Sequence, residues 1–187
     1  GNYTSGATTT DSYRLNSSRK FRDTNAWYHI VYRVDTTQTT ASDRIRCYIN
    51  GELLEWDTSH PDHLYPNQND ENYINSDYPF QINALNGNDI MDCLMSHINF
   101  CDGQSYDATA FGEYDANGVW TIKTSPSVTY GTNGFFILKD GNSVTDQSGN
   151  SNNFTVGGGT LTNTEDNPSN VFATLNSLNY TSSAVTY

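Results

Sequence analysis

The apolar residues of this chain follow no helical period. No sustained i, i+3, i+4, i+7 spacing occurs along the 187 residues, whereas short apolar runs and alternation recur. Turn dipeptides such as Asn50-Gly51, Asp102-Gly103 and Asp140-Gly141 separate these runs. Several short strands between turn signals are typical of an antiparallel β-sandwich or barrel, not of alternating strands and helices. The sequence therefore predicts an all-β domain.

The clearest strand pattern lies in Trp27–Val34. Successive side chains of a strand point to opposite faces. One face would carry Trp27, His29, Val31 and Arg33, and the other Tyr28, Ile30, Tyr32 and Val34. The second set is the more apolar, so we expect it to face the core.

A second strand is predicted over Arg44–Ile49, with Ile45, Cys47 and Ile49 on one face. Asn-Gly is the strongest two-residue hairpin signal, because both residues tolerate positive φ. Asn50-Gly51 therefore predicts a hairpin whose returning strand covers Glu52–Trp56.

Further strands are expected between the later turn signals. They cover Phe80–Asn83, Met91–Phe100, Gly118–Lys123 and Gly134–Leu138. Asp107–Glu113 predicts one short helical turn with Asp107 as its N-cap. Between these elements, Asp57–Asp77 is polar and, at about 20 residues, long for a plain connection, which favours a functional or mobile loop.

Composition and charge exclude several classes of function. Aromatic residues make up 13% and charged residues only 16%, unlike a disordered acidic chain. The net charge is −12, and nearly all of the acidity follows Arg46. A nucleic-acid backbone needs a cationic footprint, and an anionic membrane favours basic segments, so neither partner is expected. No apolar run is long enough to span a bilayer. Because Gly1 stands where an initiator Met would, we expect part of a longer or processed polypeptide.

The hairpin region resembles the laminin-G-like, concanavalin A-like jelly-roll sandwiches. Ala26–Asp35 matches their W-x-H-[IV] strand, and Arg44–Glu52 matches a strand ending in Y-[IV]-N-G. A later run is similar to a sandwich domain of structural and fibre-like proteins of phages and other aquatic viruses. That run comprises His97–Gln104, Phe111–Glu113, Gly118–Trp120, Tyr130–Phe136 and Asp146–Thr155. The sequence differs from the usual residues of the family's motifs at His97, Cys101 and Phe136.

The resemblance implies a laminin-G-like antiparallel β-sandwich over residues 1–156. Residues 134–156 would either close this sandwich or open a second β unit, and residues 157–187 would form an Asn/Thr-rich connector or accessory strands. The implied function is a non-catalytic virion structural module, in a tail fibre, spike or capsid-surface protein. Such a module would form homo-oligomers, contact other virion subunits and present a host-attachment or carbohydrate-binding surface. A purely architectural coat or filament subunit is the alternative.

A glycan site would combine aromatic faces with amide and carboxylate groups. The long loop and its flanks supply such a set: Trp56, Tyr65, Asn67, Asn69, Asp70, Tyr73 and Tyr78. The alternative is that these aromatics attach a long loop to the sheet or fill a subunit interface.

Polysaccharide hydrolysis is a third possibility, because glucanases share the implied fold. It requires two carboxyl groups facing each other across the scissile bond. Laminarinase-like relatives carry E-x-D-x-x-E, whereas here Glu113 and Asp115 are followed by Gly118 in place of the third carboxylate. We therefore expect no catalytic residues.

Metal and cysteine chemistry is also weakly indicated. His60-Pro61-Asp62-His63 offers zinc ligands without an evident third, and no C-x-x-C spacing exists. Laminin-G-like sandwiches often hold calcium at one rim, and the candidates here are Asp140, Asn142 and Asp146; Asx turns explain the same residues. The odd count of Cys47, Cys93 and Cys101 favours free thiols over a Cys93–Cys101 bridge.

Overall fold

The computed structural model describes residues 13–71, 80–83, 92–139 and 144–164. Within these ranges the chain is all-β, because the helices are limited to one four-residue α-helix and one three-residue 3-10 helix. The elements are β1 (Ile30–Val34), α1 (Ala41–Arg44), β2 (Ile45–Ile49), β3 (Glu52–Leu53), β4 (Ile98–Phe100), the 3-10 helix (Ala108–Ala110), β5 (Gly112–Tyr114), β6 (Trp120–Ile122) and β7 (Phe135–Ile137). The sheets are β1-β2-β3, β4-β7 and β5-β6, all antiparallel. No helix among these elements is long and apolar enough to cross a membrane.

The predicted hairpin is confirmed. Asn50 and Gly51 have φ values of 49° and 83°, and Ile49 pairs with Glu52 across them. Positive φ at both central positions matches the right-handed twist of the two strands. The returning strand is shorter than predicted, since β3 ends at Leu53.

The prediction for the faces of β1 is wrong. Ile30 and Tyr32 are 57% and 46% exposed, whereas Val31 is buried and the Arg33 side chain is only 13% exposed. The inward face therefore carries a cation. This is possible because Arg33 forms a 2.8 Å ion pair with Asp107, and a buried charge needs such a partner.

The core next to β1 joins two sheets. Val31, Tyr48 and Ala108 form a buried cluster, and Phe111 and Trp120 pack against it. The cluster thus connects β1 and β2 with the 3-10 helix and the β5-β6 hairpin.

Asp107 has a different role from the one predicted. It precedes the 3-10 helix, but its side chain makes no capping hydrogen bond. Its Oδ1 instead accepts hydrogen bonds from Arg33 and from the Tyr48 hydroxyl, at 2.8 and 2.7 Å. Burial raises the pKa of this carboxyl group, but the two hydrogen bonds and the positive charges of Arg33 and Arg46 together outweigh burial and leave the pKa below its usual value. The carboxylate therefore attaches the short helix to the sheet.

The opposite face of β2 is also covered. Ile45, Cys47 and Ile49 are all buried, as predicted. Trp56 donates a 3.4 Å hydrogen bond from Nε1 to the Ile45 carbonyl, and Arg19 pairs with Glu52 at 3.6 Å. The cysteines are free thiols: Cys47 is buried, Cys93 exposed and Cys101 half-buried, so the alternative bridge is not formed.

β7 pairs with β4 in a second sheet. Phe135 lies opposite Phe100, and their rings stack at 5.5 Å. Phe154 packs edge-on against Phe135 at 4.7 Å. All three residues of β7 are buried, so this aromatic cluster forms a second core region.

Two predicted strands differ from the structure. Phe80–Asn83 forms no strand; Phe80 instead places its ring 5.4 Å from both Phe100 and Phe135. Of the strand predicted over Met91–Phe100, only Ile98–Phe100 forms a strand, while Met91 lies outside the described residues. An aromatic residue that reaches a core from irregular backbone makes the same apolar contact as one on a strand.

The His29 ring makes the stability of this fold sensitive to pH. Trp120 donates from Nε1 to His29 Nδ1 at 2.9 Å, so His29 accepts this bond in its neutral form. Burial lowers the pKa of His29 below the usual histidine value of 6.5. A neutral-favouring histidine stabilises the fold above its unfolded pKa, and this stabilisation decreases as the pH falls from 6.5 to the lowered folded value.

We therefore expect urea denaturation to show a free energy of unfolding that falls between neutral and mildly acidic pH. His29→Asn is the matched variant, because its side-chain oxygen retains an acceptor that does not titrate in this range. Its pH slope should be smaller than that of the parent chain. Equal slopes in the two chains would contradict the role assigned to His29.

Candidate functional site

The loop predicted to bind glycans is held against the N-terminal segment. Leu64 and Arg14 exchange two backbone hydrogen bonds of 2.9 Å, and the Arg14 side chain pairs with Asp62 at 2.7 Å. Asp57 N–H donates to the Asn16 carbonyl at 2.7 Å. The first part of the loop is therefore fixed at several points.

The second part of the loop is held by the connection between β1 and β2. Arg44 donates to the Pro66 carbonyl at 2.8 Å, and the N–H of Asn69 donates to the Thr36 carbonyl at 2.8 Å. The Gln68 side chain donates to the Thr37 carbonyl at 2.9 Å. Two irregular segments thus support each other through side-chain and backbone groups.

A tight turn, here called the amide turn (Asn67–Asp70), protrudes from this anchored loop. The N–H of Asn67 donates to Asp70 Oδ2 at 2.6 Å, and Asn69 has a φ of 63°. The residues Asn67, Gln68 and Asn69 are exposed. Within the described ranges, the side-chain amides of Asn67 and Asn69 make no hydrogen bond. They are available to an external polar group on a preformed backbone, which lowers the entropy cost of binding.

The structure brings only part of the predicted glycan set together. Asn67, Asn69 and Asp70 share the amide turn, but Asp70 uses its carboxylate to close that turn. Trp56 directs its indole N–H to β2, and no hydrogen bond or ring contact joins it to the turn in the part of the chain that is described.

The predicted tyrosines do not complete the set. The ring of Tyr65 packs edge-on against His63 at 4.9 Å, and burial raises the pKa of its hydroxyl. Tyr73 and Tyr78 lie outside the described residues. Trp56 therefore attaches the start of the loop to β2, whereas Tyr65 packs within the loop.

A shallow groove of about 230 Å³ lies beside β3. Its lining residues are Ser17, Ser18, Arg19, Leu53, Leu54 and Glu55. The groove is open to solvent and its lining mixes polar, apolar and charged residues, so it offers less enclosure than small-ligand pockets usually do.

The carboxylates considered for hydrolysis hold local structure. Glu113 is exposed on β5 and lies 3.8 Å from Lys123. Asp115 Oδ1 accepts hydrogen bonds of 2.8 Å from the N–H groups of Asn117 and Val119. The hydrogen bond from Val119 is the main reason that the pKa of Asp115 lies below its usual value. Both groups thus have partners within the β5-β6 hairpin.

Asp146 is the buried carboxylate of the described chain. Its Oδ1 accepts from the N–H groups of Phe136 and Ser148, and its Oδ2 from the Ser148 hydroxyl and the Asn152 N–H, at 2.8 to 2.9 Å. Burial raises its pKa, but these bonds outweigh burial and lower it. Because a carboxylate has about four lone-pair sites, none is left for calcium, and Asp146 fits the turn alternative. Asp140 and Asn142 lie outside the described residues.

The histidine pair of the long loop is not part of a larger ligand set. His60 Nδ1 accepts the N–H of Asp62 at 3.2 Å, while the Asp62 carboxylate pairs with Arg14. Across the described ranges, no group of three or more His, Cys, Asp or Glu side chains is placed to hold a metal ion.

The amide residues near Asp146 carry a structural role that the sequence analysis missed. Asn150 Nδ2 donates to the carbonyls of Gly131 and Gly134, and Asn152 Nδ2 donates to those of Thr132 and Gly134. The two side chains thereby clamp the turn that leads into β7. Their alternating spacing with Asp146 and Ser148 was the available signal, but the partners lie 16 to 20 residues away.

Comparison with known proteins gives no relative: no family model matches the chain, and neither a curated protein nor a solved structure matches it.

Proposed function

We propose that this chain is a non-catalytic structural module of a virus particle that presents the amide turn on the particle surface as a weak attachment site for glycans. The observation that carries the proposal is the amide turn itself. A loop that is fixed at both ends nevertheless leaves two neighbouring side-chain amides exposed and without partners among the described residues. Amide groups are suitable partners for sugar hydroxyls, because each can donate and accept.

The proposed fold is a laminin-G-like antiparallel sandwich. Its support is that two of the small sheets share one core region and that the third packs its aromatic residues against the segment that follows it. Val31 and Tyr48 of the first sheet meet Trp120 of the β5-β6 hairpin, and Phe135 of β7 meets Phe154 from the following segment. Two stacked layers would bury these contacts between them.

The proposed surface role also agrees with the charge distribution. The chain has a net charge of −12, so a repulsive field surrounds it. Such a field favours solubility and disfavours contact with other anionic surfaces. Neutral hydroxyl-bearing ligands are the class that an exposed pair of amides meets without a charge penalty.

A glycan array tests the attachment site. The expected result is binding of the parent chain to a subset of neutral glycans, and loss of that binding in the Asn67→Ala, Asn69→Ala double variant. Asn25→Ala is the matched control, because Asn25 is also exposed and its side chain makes no hydrogen bond in the described ranges. Binding that persists in the double variant would reject the amide turn as the site.

Immunogold labelling tests the location. An antibody raised against the chain should label intact virus particles purified from a culture that produces the chain. Labelling confined to disrupted particles would favour the architectural alternative, in which this surface is covered by neighbouring subunits. The absence of the chain from purified particles would overturn the proposal of a virion protein.

The architectural alternative has one observation in its favour. Ile30 and Tyr32 expose apolar surface on neighbouring positions of the same strand face. Contiguous exposed apolar surface is typical of contact regions between proteins. The hydrolase alternative predicts release of reducing sugar that Glu113→Gln abolishes, and we expect no release from the parent chain.

A further inference from the structure

β1 is an edge strand whose outer side has no partner in the described structure. The sheet order places β1 at one end, beside β2 only. His29 and Asp35, one residue beyond either end of β1, hydrogen-bond toward β2 through their backbones. By alternation, the backbone N–H and C=O groups of Ile30, Tyr32 and Val34 point away from β2. None of the described residues hydrogen-bonds to these outward groups.

This edge lacks the features that usually prevent strand addition. Natural edges are protected by charged side chains, proline or bulges. Here Arg33 is turned inward to Asp107, and β1 pairs with β2 over all five residues without a bulge. Ile30 and Tyr32 are uncharged and 57% and 46% exposed, although the Tyr32 side chain hydrogen-bonds to that of Tyr13. No described residue occupies the outward backbone groups beside them.

We propose that β1 pairs antiparallel with β1 of a second copy of this chain, with Tyr32 on the two-fold axis. In this register Tyr32 lies opposite its own counterpart, and Ile30 lies opposite Val34. The outward groups of one copy then meet those of the other, which gives about six inter-chain hydrogen bonds, since each hydrogen-bonded pair exchanges two. The two three-stranded sheets become one continuous sheet of six strands.

A second copy of the chain is the expected partner, because the two-fold pairing of β1 with β1 is self-complementary. A two-fold interface requires the same patch to fit itself. Residues 30, 32 and 34 are all uncharged, so no like charges face each other at the contact. Elsewhere the copies repel each other, because each carries a charge of −12. Salt screens such repulsion, so the pairing should strengthen as ionic strength rises. The pairing does not depend on whether the chain belongs to a virus particle.

Crosslinking tests the register. In a Cys93→Ser background, which removes the exposed thiol, Tyr32→Cys should form a covalent dimer under mild oxidation. The expected Cα–Cα distance across the axis is about 5.5 Å, inside the range of roughly 4.4–6.8 Å for disulfides. Ile30→Cys alone should not crosslink, because the two introduced sulfur atoms would be offset by about 13 Å along the strands. Ile30→Cys mixed with Val34→Cys should crosslink. Equal crosslinking by Tyr32→Cys and by Ile30→Cys alone would overturn the register.

Sedimentation of the otherwise unmodified chain tests the association itself. We expect a concentration-dependent dimer that is favoured by added salt. Ile30→Lys should abolish it, whereas Val119→Lys, at a similarly exposed apolar position on the β5-β6 turn, should not. A parent chain that stays monomeric at every concentration and salt level would reject the proposal. So would a dimer that Ile30→Lys leaves unchanged.

Discussion

Asp146→Ala is expected to lower the free energy of unfolding by about 3 kcal/mol or more. Hydrogen bonds to a charged group contribute ~1.5–3 kcal/mol each, and a buried N–H that loses its acceptor pays the cost of desolvation. Asp146 accepts four such bonds, one of them from the buried N–H of Phe136 in β7. Urea denaturation, monitored by tryptophan fluorescence, should measure this loss of unfolding free energy.

Two variants make this result specific. Asp146→Asn retains one oxygen acceptor but directs an NH₂ group at two donors, so an intermediate loss is expected. Asp115→Ala removes a similar turn carboxylate that is exposed, and its loss should be much smaller. Equal, small losses in Asp146→Ala and Asp115→Ala would show that burial adds nothing to the role of Asp146.

The pH dependence of the same bonds has a defined sign. Because the folded-state pKa of Asp146 is lowered, its contribution is present above the unfolded-state pKa and is lost as the pH falls through the folded value. This acid loss begins at the unfolded-state pKa of a carboxyl group, whereas the loss from His29 begins at the higher unfolded-state pKa of an imidazole, so the two effects begin at different points along a pH series.

Trp120→Ala is expected to destabilise the fold by about 3 kcal/mol, within the range known for large aromatic side chains. The indole packs against the Val31 cluster and donates to His29. It also lies directly over Gly51 and Gly112, where a Cβ atom would overlap the ring. The ring therefore unites the β2-β3 hairpin, the β5-β6 hairpin and the first core region.

A double-mutant cycle tests this packing. Gly112→Ala alone should cost about 1–3 kcal/mol, because it forces the indole or the backbone of β6 to move. In the Trp120→Ala background the same change should cost distinctly less, giving a coupling of about 1 kcal/mol or more. Additive losses would mean that the ring does not restrict Gly112. Gly158→Ala is the control for the substitution itself, because a Cβ atom there would meet nothing and the backbone does not have a positive φ.

Local features were the ones that the sequence could predict. The hairpin depends on two adjacent residues, and the burial of Ile45, Cys47 and Ile49 depends on alternation within one strand. The all-β class follows from many such local patterns. Each of these inferences needs only the backbone geometry of neighbouring residues.

Features that depend on distant partners could not be predicted in the same way. The face of β1 was assigned wrongly, because Arg33 was weighed by polarity alone while Asp107, its partner, lies 74 residues away. Phe80 enters an aromatic cluster without a strand, because packing does not require regular backbone. At the candidate site, composition identifies the asparagines, but their support comes from Thr36 and Thr37, between the two predicted strands, and from Arg44, at the start of the second.

The pairing of β4 with β7 has a consequence for synthesis of the chain. Translation delivers β4 first, then the whole β5-β6 hairpin, and only afterwards the strand that completes its sheet. Contacts between distant positions form slowly and leave apolar surface open in the meantime. A nascent chain that stalls before Phe135 would therefore present Phe100 and Phe80 to chaperones. Proteolytic sensitivity in this region should disappear once the clamp at Asn150 and Asn152 has emerged from the ribosome.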